Sequence, residues 1–234
     1  MAKEKRTIVG ENLTPTLLTE LGGLDKFPST PTDFKPDGNW VNTYRIWTCH
    51  GYRESGNENV GSLRITRRVD SKKTFFLEVR QEIVQTGGLT NVIEGTIKCR
   101  LNQLASPVEW RLSSRFEGPE GKIISGLGFS NHGVAAESVT GTAGDWCLFE
   151  AVQRLAFDKQ ISLSFDLLEG MSLSKLGHRL FYRGTYPMKM GAQSVPLQCF
   201  AQLGRGILPN EYWLDNRHRL LAVISMNKAY VLDQ

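Results

Sequence analysis

The sequence of 234 residues predicts an all-β protein with one central helix: an antiparallel meander forming a half-barrel or strongly curved sheet around that helix. Three observations predict it. After Trp40, long stretches alternate apolar and polar side chains with a period of two, as half-buried strands do. The connectors between them are short and rich in Gly, Asp and Ser. One segment alone, Gly141 to Lys159, breaks that period and reads as a helix.

The first 39 residues differ from the rest. "ENLTPTLLTELGGL" reads as a short helix after Thr14, with Pro15 at its first position, where a missing N–H costs nothing. "DKFPSTPTDFKPDGNW" then has three prolines in sixteen residues, the mark of an extended connector. Residues 1–39 are therefore expected to be an irregular N-terminal arm, and residues 40–234 a single β-rich domain.

In "TFFLEVRQEIVQT", Phe75, Leu77, Val79, Gln81 and Ile83 share a face, opposite Phe76, Glu78, Arg80, Glu82 and Val84. In "LTNVIEGTIKCRL" the inner set is Leu89, Asn91, Ile93, Gly95, Ile97, Cys99 and Leu101. In "VEWRLSSRFE" it is Val108, Trp110, Leu112, Ser114 and Phe116. A strand buried on both faces would be apolar throughout, so these are antiparallel strands with one wet face. "VDSKK", "QTGGLT" and "EGPEGK" supply the turns.

The helix is expected from about Asp145 to Phe157, opened by an approximate capping box of Thr142 and Asp145. Glu150, Gln153, Arg154 and Asp158 share a narrow polar face, and apolar residues occupy the rest. Such a helix is buried on several sides. Strands resume in "QISLSFDLLEG", "HRLFYRGTYPMKM" and "SVPLQCFAQLGRG", giving ten to twelve in all. The chain ends in a hairpin, "NEYWLDNRHRLLAVIS", with its turn at Asp215 to His218. So apolar a hairpin is a sticky edge unless it closes a barrel or lies over a core.

Chemistry leaves fewer traces. The net charge of +4 is spread among mixed signs without a basic patch, which argues against nucleic acid. No stretch approaches the ~20 apolar residues of a membrane-spanning helix. "MAKEKRTIVGENLTP" lacks the apolar segment of a signal peptide. The compartment is left open: periplasmic or exported is expected if a leader was removed, otherwise cytoplasmic. Cys49, Cys99, Cys147 and Cys199 lie in apolar runs and read as small buried hydrophobes, with one or two disulfides open to an exported protein.

Without a C-x-x-C pair, an H-x-x-x-H or H-E-x-x-H spacing, or a G-x-S-x-G elbow, no metal, cofactor or catalytic residue is expected. His218 reads as a solvated turn residue and His132, in "FSNHGVAAE", as part of a loop. The enzymatic alternative is a carbohydrate-active β-sandwich using two of Glu82, Glu94, Glu109 and Glu117 across one cleft.

Aromatic residues point elsewhere. Trp40, Tyr44, Trp47 and Tyr52 share one stretch over both faces, and Gly95, Ser114, Gly126 and Gly128 make room on the inner side. A wide sheet around one helix leaves space for an apolar ligand. Its expected contacts are Trp47, Phe75, Leu77, Trp110, Phe116, Trp146 and Phe149. The rival readings are a packed core made of the same residues, and a structural subunit docking to a protein partner through the N-terminal arm.

"YWLDNRHRLLAVI" (Tyr212 to Ile224) and "LNQLASPVEWRL" (Leu101 to Leu112), where a strand breaks at a proline before the next begins, resemble half-barrel proteins of Gram-negative envelopes. These are the Lol-type lipoprotein carriers and a related uncharacterised exported bacterial family. The resemblance implies binding of an acyl chain or lipid-like molecule without catalysis.

Overall fold

The structure, a computed structural model, describes residues 27–49, 57–85, 87–124, 129–134, 141–190 and 193–233. The helix expected after Thr14, and His50, Tyr52, Gly126 and Gly128, lie outside them. Thirteen strands make one sheet, one more than the upper sequence expectation. They are β1 (Trp40–Thr48), β2 (Glu58–Val69), β3 (Thr74–Val84), β4 (Thr90–Arg100), β5 (Pro107–Glu117), β6 (Phe129–Val134), β7 (Thr142–Gly144), β8 (Ser162–Glu169), β9 (Leu173–Met190), β10 (Gln193–Leu203), β11 (Asn210–Leu214), β12 (Leu220–Ile224) and β13 (Lys228–Leu232). Among the described residues there is one helix, α1 (Asp145–Arg154). This is the predicted class: a single curved open sheet around a helix.

The strand order is β6-β5-β4-β3-β2-β1-β13-β12-β11-β10-β9-β8-β7. Two meanders, β1 to β6 and β8 to β13, are joined where β1 pairs antiparallel with β13. Every pairing is antiparallel except β7 with β8. The terminal hairpin is thus neither an edge nor a closing seam. It lies in the middle of the sheet, and the free edges, β6 and β7, come from the middle of the chain. All five residues of β12 are buried. That explains "LLAVI": a strand covered on both faces loses its polar alternation, so the one-wet-face rule holds for β3 to β5 and fails here.

The curvature shows in what α1 reaches. Phe149 meets Tyr44 of β1, Tyr212 of β11 and Tyr230 of β13 edge-on, with ring centroids 5.4, 6.3 and 5.3 Å apart. Across the free edges, the Asn131 amide on β6 donates to the Met171 carbonyl in the β8–β9 turn (3.0 Å).

The helix corrects two expectations. It starts after Gly144, which gives no side-chain cap, while Thr142 belongs to β7, so there is no capping box. It stops at Arg154, with Leu155 extended. Phe157 then turns away to stack against His218 (3.9 Å between ring centres). His218 is accordingly half-buried, and burial pushes its pKa down. Nor is the polar face of the helix wet. Glu150 and Gln153 are fully buried, and Gln153 accepts the Leu220 N–H (3.1 Å) while donating to the Phe149 carbonyl (2.9 Å).

Residues 27–39 lie along the domain. Arg217 donates to the carbonyls of Thr30 (3.0 Å) and Thr32 (2.6 Å), and Thr30 bonds Asp215. All four cysteines are buried free thiols. Those of Cys99 on β4 and Cys147 on α1 touch at 3.7 Å across the helix–sheet interface.

Candidate functional site

Residues paired across strands share a face, so the registers define rows on the concave side. One row runs Trp40, Arg67, Leu77, Ile97, Trp110, Gly133, and the next Asn42, Ile65, Val79, Gly95, Leu112, Asn131. The third contains Tyr44, Leu63, Gln81, Ile93 and Ser114, the fourth Ile46, Gly61, Ile83, Asn91 and Phe116.

At the first row the concave space is closed by charge and packing. Arg67 Nε donates to Glu150 (2.8 Å), and its Nη1 to the carbonyls of Asp37 (2.5 Å) and Gly38 (2.6 Å). Arg154 also holds Glu150 (2.6 and 2.9 Å) and reaches the Asn102 carbonyl (2.6 Å). Phe75 lies beneath both guanidinium groups, 4.4 Å from Arg67 and 5.8 Å from Arg154. Arg67 is 1% exposed and Glu150 0%. A buried ion pair survives only when its remaining polar atoms are bonded, and here the arm, the β4–β5 turn and the helix supply those bonds. Trp110 lies across Gly133, where a Cβ would come within 2.1 Å of the ring. This end is sealed.

The fourth row is different. Ile83, Asn91 and Phe116, like Ile93 of the third, face inward yet remain half-buried. The reason is length. Ten helical residues span about 15 Å, whereas the eleven residues of β3 run about 37 Å. One short helix cannot cover such strands.

Near its N-terminus α1 presents Asp145. The carboxylate accepts the N–H of Trp146 and of Gly170, both at 3.0 Å. Burial, with the nearby charge of Glu169, pushes its pKa up to about 6. Tyr212 and Tyr230 are held above the usual tyrosine range by burial, and the Asp145 charge adds to it. Tyr212 also donates to Gln202 (2.7 Å), whose amide meets His178 Nδ1 (3.4 Å).

Of the seven predicted contact residues, Phe75, Leu77, Trp110, Trp146 and Phe149 belong to one buried core. Trp47, half-buried and packed against that core, follows Ile46 across a register shift and lies under the Arg45 guanidinium (6.0 Å). Only Phe116 stands at the half-buried end. The structure therefore does not bring the seven together. Gly95 opens no space either, because a Cβ there would lie 2.0 Å from the Arg111 carbonyl oxygen. It lets two backbones approach. Sequence reasoning named Ser114 only as making room and passed over Gln81 and Asn91; the signal of all three was a polar side chain at an apolar position of the alternation. Asn91 donates to Ser114 (3.1 Å).

The four glutamates of the enzymatic alternative sit on the outer face. Arg80 binds Glu82 (2.5 Å) and Glu94 (2.7 Å), and Arg115 binds Glu94 (2.6 Å) and Glu117 (2.7 Å). Hydrogen bonding from Arg115 holds Glu94 below the usual carboxylate range, the reverse of what a general acid requires. His132 belongs to strand β6 rather than a loop, with Nε2 3.6 Å from Glu109. A shallow hollow of about 520 Å³ opens on this same face between Thr96, Arg111 and His132. Among the described residues no three His, Cys, Asp or Glu side chains converge as for a metal, and no helix is long and apolar enough to cross a membrane.

The sequence matches no known protein-family profile and no curated protein. Among solved structures it is similar to a crystal structure described as a "beta-barrel-like protein of domain of unknown function DUF1849" from Brucella abortus. The TM-score is 0.48 at 9% identity, over 84% of this chain and 96% of that one.

Proposed function

We propose that this is a non-enzymatic binding protein that holds a hydrophobic, lipid-like molecule on the concave face of the sheet, beside α1. The supporting observation is the half-buried inward row of Ile83, Asn91 and Phe116, with Ile93, at the end that the helix leaves uncovered. Apolar side chains that face a concave surface without being sealed gain from covering by an apolar guest, at roughly 25 cal/mol per Å² removed from water. The seven residues expected from sequence then divide: Phe116 touches the guest, Phe149 and Trp146 belong to the helix beside it, Phe75, Leu77 and Trp110 close the far end, and Trp47 packs against the core from β1. The likeness of Tyr212–Ile224 and Leu101–Leu112 to half-barrel carriers agrees with this reading.

Mass spectrometry of organic extracts from protein purified without detergent tests it. The expected result is an apolar compound near one equivalent per chain. An empty extract, together with no fluorescence enhancement of an added apolar dye, contradicts it.

A further inference from the structure

The guest's polar group can be inferred from the same wall. Gln81 stands in the third concave row, between Leu63 and Ile93. It is 7% exposed, and its amide makes no hydrogen bond to another described residue. Every other buried glutamine found here is satisfied: Gln153 bonds Leu220 and Phe149, and Gln202 bonds Tyr212 and Asn210. Neither atom of that amide is shut off from water, so the amide meets solvent at the open end and is available to a guest. At an apolar position of a strand, leucine would be the cheaper choice. Beyond Ile93 in the same row lies Ser114, and diagonal to Gln81 in the neighbouring row lies Asn91; the two are bonded to each other, with hydrogen-bonding capacity left on both.

The charge of the surroundings narrows the class. Gly61, Leu63, Gln81, Ile83, Asn91, Ile93, Ser114 and Phe116 are the concave positions at this end of β2 to β5, and none is ionisable. Inward-facing Arg67 and Arg154 are committed to Glu150 at the sealed end. The Asp145 carboxylate, near Tyr230, already accepts the N–H of Trp146 and of Gly170, so a carboxylate or ammonium head would lose its hydration here with no free counter-charge to replace it, which costs far more than burying a neutral amide or hydroxyl.

We infer that the open end of the concave face recognises an apolar molecule bearing an uncharged hydrogen-bonding group, an alcohol, amide or ester, with Gln81 as the residue that reads it. This rests on the binding reading above and names its ligand class.

The test is displacement of diphenylhexatriene, a pure hydrocarbon fluorophore, from the full-length protein by four twelve-carbon competitors: dodecanol, dodecanamide, dodecanoate and dodecylamine. The alcohol and amide are expected to compete at least tenfold better than the two charged compounds at pH 7. Gln81→Leu is expected to weaken the alcohol and amide roughly fivefold to tenfold while keeping or raising diphenylhexatriene affinity, with a circular dichroism spectrum like that of wild type reporting an intact fold. If dodecanoate or dodecylamine competes as well as dodecanol, or if Gln81→Leu changes no competitor, the head-group inference is overturned and the binding reading stands. If wild-type protein does not bind diphenylhexatriene at all, the binding reading itself fails.

Discussion

The two ends of the concave face are built from the same strands and close in different ways. At the row of Trp40, Arg67, Leu77 and Trp110 every inward side chain is buried, and a charged triad ties helix, sheet and arm together. At the row of Ile83, Asn91 and Phe116 the inward side chains are half-buried and polar residues stand in apolar positions. What separates them is the reach of α1. Burial is greatest where the helix lies, and the proposed recognition falls where it does not.

The largest expected effect lies at the sealed end. Glu150→Ala leaves the buried Arg67 without a counter-charge and should cost about 3–5 kcal/mol of unfolding free energy, read from urea denaturation. Replacing Arg67, Glu150 and Arg154 together by Met, Leu and Met should recover most of that loss. A Glu150→Ala protein as stable as wild type would mean that the triad does not hold the helix.

Truncating one aromatic at each end sharpens the contrast. Trp110→Ala should cost about 3–5 kcal/mol, because Trp110 is packed over Gly133. Phe116→Ala should cost about 1 kcal/mol, since part of its surface is already in water. Equal costs would erase the distinction between the ends.

Titration separates them further. The Asp145 pKa is raised, so the folded state binds its proton more tightly than the unfolded chain does. Stability should therefore fall as the pH rises from the ordinary carboxylate range to about 6, and level off above. Asp145→Asn should flatten that segment of the stability–pH curve. An unchanged slope would show that another group is responsible.

The smallest effect is at the hairpin turn beside the sealed end. His218 has φ 67°, and the turn closes by hydrogen bonds from His218 N to Asp215 O (3.2 Å) and from Asp215 N to Arg219 O (3.1 Å). Both His218→Gly and His218→Ala lose the stacking on Phe157, but only glycine relieves the left-handed backbone. The glycine variant should be about 1 kcal/mol the more stable of the two, by thermal denaturation.

Strands β3, β4 and β5 were legible in the sequence because one wet face leaves an alternation of charged and apolar residues. The centre of the sheet was less so. "LLAVI" is apolar at every position, which signals burial on both faces but not which strand lies alongside, and the β1–β13 pairing joins residues nearly 190 positions apart, such as Tyr44 and Leu232. The helix was legible from its broken period. Its true end was not, because Arg154 and Phe157 find their partners in distant strands. For the site, aromatic content led to residues that fill the core. The signal for the proposed site was Gln81, Asn91 and Ser114, polar exceptions within apolar sets, which the register gathers into two adjacent rows.

Photolabelling tests the open end most directly. A long-chain alcohol carrying an alkyl diazirine, bound to the full-length protein and photolysed, should attach to peptides containing Ile83, Ile93 or Phe116, and excess dodecanol should suppress the label. Labelling confined to the outer face around Thr96, Arg111 and His132, or spread over the surface and indifferent to dodecanol, would contradict a guest on the concave face.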